Sequence, residues 1–419
     1  MLQRIFTFTL AILFFLGCEQ QELPEPFTSI EEIDSPTESD ARFPFLHEMG
    51  DSVLVSWQSV IDDEITRLYL GSLNDGSFSN SEQVTEGRDW FVNWADFPVI
   101  GSTRNGDIMM GFMTSSGPGT FEYDVNFISS VDGQWNDSFI PHEDGTLTEH
   151  GFVSMEPYRE DELLAIWLDG RQMESSGDDE SSEHEAQDGH GNGDMMLMQA
   201  KVDPSDGVQE KAPLDRRVCE CCPTASTQTS EAAQFFYRDR ADDETRNISV
   251  VSYNFDQQEW SDPQYVYDDG WQVHGCPVNG PAADSYEDVI GAAWFTSPSD
   301  APRVRVAFSE DHGSSFSEPM EVHTGHALGR VDIKMVDQQT ALVTWLEQHD
   351  DQTFLKARLI NSNGDKSSPQ TLVSGDYLAN RSAGFPRMAH VGSSVYIGWS
   401  KPGDAYQLKI LEGDLTNEI

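Results

Sequence analysis

The chain has 419 residues, of which 73 are Asp or Glu and 25 are Lys or Arg, and its formal net charge is −48 at pH 7. A surface this acidic repels nucleic acid and anionic lipid headgroups, so binding to either through charge is excluded. An acidic, solvated shell also keeps a protein soluble in concentrated salt, where self-repulsion is screened, and we expect a salt-rich source.

The first residues have the pattern of a secretion signal. Arg4 precedes an apolar to weakly polar run from Ile5 to Leu16, which is too short to span a bilayer as a mature helix, and Gly17 and Cys18 follow. Gly17-Cys18 resembles the lipobox of bacterial lipoproteins. The resemblance implies a signal peptide over 1–17, lipidation of Cys18 and a location in the bacterial cell envelope, with membrane contact through the lipid anchor only. The alternative is an ordinary signal peptide with an incidental cysteine.

Residues 18–41 are acidic and rich in Pro and Ser, which predicts a tether that holds a globular body off the membrane. Within this segment, "PFTSIEEI" is a candidate strand.

The rest of the chain, 42–419, repeats one pattern: a turn-forming start, an alternating strand, a polar turn and an apolar strand ending near an aromatic residue. Equivalent positions are separated by 54, 55, 70, 54, 54 and 55 residues, at Phe43, Phe97, Phe152, Cys222, Cys276, Arg330 and Phe385. Each repeat has room for four short strands, so we predict an all-β fold, a β-propeller of seven blades, with six as the second choice.

Two irregularities in the repeat have simple interpretations. The one long interval contains 173–194, an acidic stretch without apolar periodicity, which predicts a disordered insertion. The last repeat is one strand short, and "PFTSIEEI" could close the ring from the other end of the chain, leaving no long exposed edge.

A turn in the fifth repeat carries a family resemblance. "SEDHGSSF" matches the Asp-box of sialidases and related BNR-repeat propellers, and "WLDGR", "VCECCPTA", "GCPVNGPA" and "GFPRMA" look like a bacterial group of sialidase-like propellers. In that family the Asp-box is structural and lies away from the active face. The resemblance therefore gives structural roles to Ser309, Asp311, Gly313 and Phe316.

Propeller topology brings distant residues to one rim of the central channel, where propellers usually bind ligands. The inner-strand starts bring Arg42, Asp96, His150, Cys219, Cys221, Cys222, His274, Cys276, Arg330, Arg381 and Arg387, and the second ring of loops adds Asp169, Arg171, Arg238, Asp239 and Glu347.

The arginines predict a site for an acidic glycan or another anionic ligand, because guanidinium groups bind carboxylates in a bidentate manner. Arg42, Arg330 and Arg387 come from blades that are neighbours after closure, with Arg381 close in sequence and Asp169 and Arg171 across the ring. The alternative is that each arginine pairs with a nearby carboxylate, such as Asp332 for Arg330.

The sialidase resemblance implies three arginines on a substrate carboxylate, and "ARFP" resembles the Arg-x-Pro motif that carries the first, here Arg42. Sialidases also use a Tyr nucleophile activated by Glu, and an Asp acid/base. Asp96 and Glu347 are the acidic candidates, but no Tyr is assigned by motif, so an exo-sialidase activity stays open.

The opposite side of the rim is rich in sulfur and imidazole. Cys219, Cys221, Cys222 and Cys276 would form disulfides in an oxidising envelope, with Cys276 joined to Cys221 or Cys222. With His150 or His274 they could instead bind copper or zinc, or act as reactive thiols. Three functions follow as alternatives: a glycan-directed propeller, a metal-binding or redox protein, and a docking scaffold with structural disulfides.

Overall fold

A computed structural model describes residues 22–37, 39–61, 64–173 and 193–416. The predicted signal segment, Cys18 and nearly all of the 173–194 insertion lie outside these described residues. Within the described part of the chain, no helix has the length and apolar character needed to cross a membrane.

The described residues form seven antiparallel sheets, which are the blades of a closed ring. The first strand of each blade contacts the first strand of the next, and the first strand of blade seven contacts that of blade one. The predicted all-β, seven-bladed propeller is therefore confirmed.

The strands follow the predicted repeat. In chain order they are β1 (Glu22–Leu23), β2 (Phe27–Ile33), β3 (Arg42–Met49), β4 (Ser52–Ile61), β5 (Ile65–Asn74), β6 (Ser77–Gly87), β7 (Val99–Ser102), β8 (Ile108–Ser115), β9 (Tyr123–Val131), β10 (Gln134–Trp135), β11 (His150–Pro157), β12 (Leu163–Asp169), β13 (Met195–Asp203), β14 (Gly207–Val218), β15 (Ala225–Gln228), β16 (Ala232–Arg238), β17 (Ile248–Asn254), β18 (Glu259–Trp260), β19 (Gln264–Tyr267), β20 (Ala282–Tyr286), β21 (Val289–Thr296), β22 (Arg303–Ser309), β23 (Met320–Glu321), β24 (His326–Met335), β25 (Thr340–His349), β26 (Gln352–Asn361), β27 (Lys366–Ser367), β28 (Gln370–Ser374), β29 (Arg387–Val391), β30 (Ser394–Lys401) and β31 (Gln407–Leu415). Short 3-10 helices span Pro298–Asp300, Asp376–Ala379 and Arg381–Ala383. Blades one to seven begin at β3, β7, β11, β15, β20, β24 and β29.

The ring is closed by a strand from the start of the chain. Strand β2, within the "PFTSIEEI" segment, pairs antiparallel with β31 and completes blade seven, while β1 pairs in parallel with β27 of blade six. Residues 22–33, which lie in the segment predicted as a tether, are therefore strands of the propeller.

Tryptophans on the second strands fill the space between blades. Trp57, Trp167, Trp294 and Trp345 are each at most 1% exposed. Trp57 stacks on Tyr69 at a centroid distance of 5.4 Å. These rings are the aromatic residues of the sequence repeat, and their burial holds neighbouring sheets together.

We call the end of the ring where the seven first strands begin the entrance face. Three first strands are bulged there, because Phe43, Phe152 and Arg330 have positive φ angles of 50°, 57° and 49° and interrupt the pairing register. These residues occupy equivalent positions of the repeat. The strained backbone is thus a recurring feature of this face.

The Ser309–Phe316 turn follows β22 at the opposite end of the ring. The Asp311 carboxylate accepts bonds from the Ser309 hydroxyl (2.8 Å) and from the Ser315 N–H (2.8 Å), and the Gly313 φ is +84°. Phe316 packs edge-on against Phe236 of blade four. These contacts brace one blade against the next and lie far from the entrance face along the strand.

Candidate functional site

The first strands of the seven blades surround a central channel of about 390 Å³. Its charged lining consists of His47, Glu48, Asp96, Glu156, Asp284, Asp332, Lys334 and Arg387. The channel thus has five carboxyl groups against one histidine, one lysine and one arginine, so acidic groups outnumber basic ones here as in the whole chain.

Lys334 is neutralised inside the channel. Its Nζ lies 2.7 Å from a Glu48 oxygen and 3.2 Å from an Asp284 oxygen. Burial opposes the charge, but the two carboxylates outweigh it and hold the pKa of Lys334 above its usual range. The Lys334 charge is therefore paired within the channel wall and is not left for a ligand.

Two of the predicted anion-binding arginines are also held by the protein. The Arg42 guanidinium makes a bidentate pair with Asp40 (2.7 and 3.0 Å) and lies over the Tyr406 ring. Arg330 is only 8% exposed. Its guanidinium donates to the carbonyls of Leu378, Ala379, Asn380 and Gly384 at 2.9 to 3.2 Å.

The suggested pairing of Arg330 with Asp332 is wrong. The Asp332 oxygens accept the backbone N–H groups of Ile333 (3.0 Å) and Met388 (2.6 Å), whereas Arg330 satisfies the loop carbonyls. Arg330 therefore fixes the short helices before β29 and offers little to a ligand.

Arg381 and Arg387 are different, because neither guanidinium group makes a hydrogen bond or ion pair with any described residue. Arg381 is exposed at the rim, with its guanidinium 5.8 Å from the Trp94 ring. Arg387 lines the channel, 5.3 Å from the Phe97 ring and 5.9 Å from the Phe45 and Phe385 rings. The Arg387 Nε is buried and unpartnered.

The aromatic rings around these cations form a continuous cluster, which we call the arginine–aromatic cluster: Trp94, Phe385, Phe45, Phe97, Arg381 and Arg387. Trp94 and Phe385 stack at 5.6 Å. Burial lowers the pKa of Arg387 and Asp332 opposes that effect, but an arginine remains a cation at neutral pH.

Asp96 belongs to a buried acid–tyrosine group with Tyr123 and Glu149, which the sequence did not predict. The Asn93 side chain accepts the Ala95 and Asp96 N–H groups and fixes the turn before β7. One Asp96 oxygen accepts the Phe152 N–H at 2.9 Å, and the other lies 3.0 Å from the Tyr123 hydroxyl. That hydroxyl lies 2.7 Å from a Glu149 oxygen.

Proton counting defines the state of this group. The single Tyr123 hydroxyl proton cannot serve both carboxylates, so one carboxyl carries a proton of its own. Burial raises the pKa of Asp96 to about 8, with the Glu149 charge adding to the effect. A pKa of about 8 makes Asp96 the protonated carboxyl at neutral pH, and the Tyr123 hydroxyl lies between this carboxyl and that of Glu149.

Tyr123 is a poor nucleophile in this state. Burial and the two acidic neighbours raise the pKa of its hydroxyl well above the usual range. The ring is 1% exposed and stacks beneath Phe91 at 3.9 Å.

The other acidic candidate, Glu347, is saturated with donors. It accepts bonds from Thr324 (N–H and hydroxyl), Gly325, Trp345, His349 and Lys356. Burial opposes the charge, but these contacts outweigh it and hold the pKa of Glu347 well below its usual range. This carboxylate organises the end of β25 and has no proton to give.

Asp169 uses the same arrangement at the end of β12. It accepts the Trp167 indole N–H at 2.8 Å and a bidentate pair from Arg171 at 2.6 Å. The Trp-x-Asp/Glu pattern of "WLD" and "WLE" is thus a repeated structural device. Asp169 and Arg171 neutralise each other, so this part of the predicted anion site is internally paired.

His150 lies in a buried histidine–carboxylate group with His142, Asp124 and Asp144. The two imidazole rings stack at 3.8 Å with an interplanar angle of 3°. Asp144 lies 3.1 Å from the His150 Nε2, and Asp124 lies 3.5 Å from its Nδ1. Burial lowers the pKa of His150, but the carboxylates outweigh burial and raise it to about 9.

This group has metal-ligating residue types, but its geometry is that of an ion-pair network. The donor atoms of Asp124, His142 and His150 lie within 4.8 Å of one another. Imidazole lone pairs lie in the ring plane, so two parallel stacked rings do not aim at a common ion. His150 is engaged here rather than with the cysteines.

The cysteines do converge. Cys219, Cys221 and Cys222 are buried, with their sulfur atoms within 4.8 Å of one another, and Cys276 packs against them. No disulfide joins any of the four described cysteines, and the 3.1 Å between the Cys219 and Cys222 sulfur atoms exceeds the roughly 2.05 Å of a disulfide. The described residues thus contain no disulfide. His274 is exposed beside the group.

Fold and site together define a seven-bladed propeller with two chemically distinct halves of its entrance face, one rich in arginine and aromatic rings and one rich in thiols. No protein-family model matches the chain, and no curated protein matches it.

Solved structures do match along most of the chain. An ulvan lyase of polysaccharide lyase family PL25, bound to -[GlcA(1-4)Rha3S]-, is 10% identical with a TM-score of 0.56, covering 91% of this chain and 95% of its own. The polysaccharide lyase Uly1 is 8% identical with a TM-score of 0.52, covering 96% and 94%. A protein of unknown function from Dyadobacter fermentans is 12% identical with a TM-score of 0.50, covering 93% and 99%.

Sialidase-like and neuraminidase-like propellers are also among the matches, at 11% identity. At 8 to 12% identity, the three structures with TM-scores of 0.50 to 0.56 show a shared fold and nothing more specific.

Proposed function

We propose that the protein binds an anionic carbohydrate at the entrance of its channel, with the carboxylate or sulfate group of the sugar against Arg387 and Arg381. The observation that carries the proposal is Arg387, a cation in the channel wall whose guanidinium makes no hydrogen bond or ion pair with any described residue. Arg387 is partly exposed to the channel, whereas a charge that is wholly removed from water without a partner costs roughly several kcal/mol. A protein with 73 acidic residues could easily have paired it.

The aromatic rings favour a sugar over a small inorganic anion. Half-buried Trp94, stacked on Phe385, offers a flat apolar surface beside the exposed Arg381 guanidinium. Ligand sites commonly combine such apolar walls with a few polar groups that fix orientation. The PL25 lyase supports this direction, because the same fold there holds an oligosaccharide of glucuronate and sulfated rhamnose.

We propose binding rather than hydrolysis. Asp96 lines the channel in its protonated form and could donate a proton, but Tyr123 is covered and Glu347 is saturated. Retaining hydrolysis needs an accessible nucleophile as well as an acid. Lipidation of Cys18 and an envelope location stay predictions from the sequence.

The test compares acidic and neutral forms of the same sugars. Isothermal titration uses oligomers of glucuronate and sialic acid beside their carboxyl-reduced forms. We expect the wild-type protein to prefer a carboxylated form by about tenfold or more, and Arg387→Gln to lose that preference, because a charge-assisted hydrogen bond is worth about 1.5–3 kcal/mol.

Arg42→Gln is the matched control. It removes a guanidinium from the same face that Asp40 already pairs, so we expect less than a twofold change. Equal affinity of wild type and Arg387→Gln for every acidic sugar, or no binding of any of them, would contradict the proposal.

A further inference from the structure

Four cysteines from three blades meet on the side of the entrance face away from the arginine–aromatic cluster. Cys219 follows β14 of blade three, Cys221 and Cys222 lead into β15 of blade four, and Cys276 precedes β20 of blade five. Cys219, Cys221 and Cys222 are 1%, 6% and 1% exposed. Cys276 is partly buried against them, within hydrogen-bonding reach of the Cys221 thiol.

The sulfur separations fit a metal site better than a disulfide. Cys219 Sγ lies 3.9 Å from Cys221 Sγ and 3.1 Å from Cys222 Sγ. An ion with four sulfurs at about 2.3 Å in a tetrahedron sets its sulfurs about 3.8 Å apart, whereas a disulfide sets them about 2.05 Å apart. The first separation matches the tetrahedral edge, and the second is nearer to it than to a disulfide.

Two buried arginines lie beside the thiols, and one of them donates to a cysteine sulfur. Arg246 Nη1 donates to Cys219 Sγ at 3.2 Å, and Glu220 (2.7 Å) and Glu244 (3.1 Å) fix that guanidinium. Arg238 is 1% exposed and donates to the carbonyls of Arg246, Asn279 and Phe295. A hydrogen-bonding partner that orients a ligand atom in this way is typical of metal sites.

The neighbouring histidines are not among the candidate metal ligands. His150 is committed to Asp124 and Asp144, and His274 is exposed. The ligand set is therefore sulfur only, which is the set preferred by thiophilic ions such as Zn(II) and Cu(I).

We propose that Cys219, Cys221, Cys222 and Cys276 bind one thiophilic d10 ion in a closed site. Each ligating thiol releases its proton to solvent and no electron is transferred. The ion ties blades three, four and five together at the entrance face. Four sulfur ligands leave no open position, so the role is structural.

The test counts metal and thiols in the full chain carrying Cys18→Ser, which leaves only the four site cysteines. Elemental analysis after purification without chelator is expected to give one Zn or Cu per chain. Competition with a Zn(II) chelator and with a Cu(I) chelator then distinguishes the two ions. Four free thiols are expected after denaturation in chelator without reductant. Co(II) is expected to give sulfur-to-metal charge-transfer bands.

Cys222→Ser and Cys276→Ser in the same background are expected to lose those bands and at least tenfold in metal affinity, about 1.4 kcal/mol. His274→Ala is the control and is expected to keep both. If Cys222→Ser does not fold, Cys276→Ser at the partly buried position still tests the proposal, as do the metal content and thiol count of the parent protein. Glycan titration of the metal-free protein separates this proposal from the anion site. No free thiols and no metal, or four free thiols that bind neither Zn(II) nor Cu(I), would overturn it.

Discussion

Arg330 and Arg387 belong to the first strands of neighbouring blades and differ in what surrounds their guanidinium groups. Arg330 donates to four backbone carbonyls of the loop before β29, whereas Arg387 faces aromatic rings and the channel. The sequence pattern predicts both arginines on one rim but does not distinguish their environments. Backbone carbonyl acceptors leave no mark in a side-chain pattern.

Other site residues were missed for a similar reason. Tyr123, Glu149 and His142 come from a third-strand start and from the loop before β11, which have no repeat position that marks them. The one signal in the sequence was the run "TLTEH", in which Glu149 directly precedes His150, the first residue of β11. The carboxyl groups that lie near Glu149 and His150 are set by how neighbouring blades pack, which the run itself does not show.

Asp96 gives a prediction at this scale. Its folded pKa of about 8 lies above the value of about 3.9 for an unfolded Asp, so the folded state binds more protons between these values. Stability should therefore fall as pH rises from about 5 to 8. Asp96→Asn keeps the shape of the side chain but does not titrate. Over that pH range we expect the free energy of unfolding of wild type to fall by at least about 1 kcal/mol more than that of Asp96→Asn.

Urea unfolding at both pH values measures this difference. Parallel pH dependence of wild type and Asp96→Asn would show that Asp96 is ionised throughout, contrary to the proton count at Tyr123.

Among the elements, the blades were predictable because each repeats one burial pattern. A polar loop, an apolar second strand and an aromatic anchor recur at a nearly constant interval, so strands such as β12 and β25 are visible without any tertiary information. Strand β2 was harder, since its partner β31 lies at the other end of the chain. The only sequence signal for β2 was that the last repeat is one strand short.

Phe27 on β2 gives a prediction for ring closure. Its side chain is 3% exposed and packs directly on Gly413, where an added Cβ would lie 2.5 Å from the ring. Phe27→Ala should cost about 3–5 kcal/mol in the free energy of unfolding, the usual range for a buried Phe. Glu31→Ala, an exposed site on the same strand, should change stability by less than about 0.5 kcal/mol.

Thermal and urea unfolding, with limited proteolysis at the N-terminal end, check this pair of variants. Equal stability of the two would show that β2 is dispensable for closing the ring.

At the scale of the whole molecule, the charge of −48 opposes compactness through self-repulsion. Raising NaCl from about 0.1 to about 1 M shortens the screening length from about 10 to about 3 Å. We therefore expect Tm to rise over this range, and to rise less in sucrose of the same osmolality. A Tm that falls with salt would show that attractive surface ion pairs dominate instead.

The ring also explains how an acidic protein could hold an anionic sugar. Seven blades bring Arg381, Arg387 and their aromatic partners to one opening, while most acidic groups are spread over the rest of the surface. A crystal structure with bound oligoglucuronate tests this most directly. We predict a carboxylate within hydrogen-bonding distance of Arg387 and a sugar ring against Trp94. Density for the sugar on any other surface, with Arg387 unoccupied, would contradict the account.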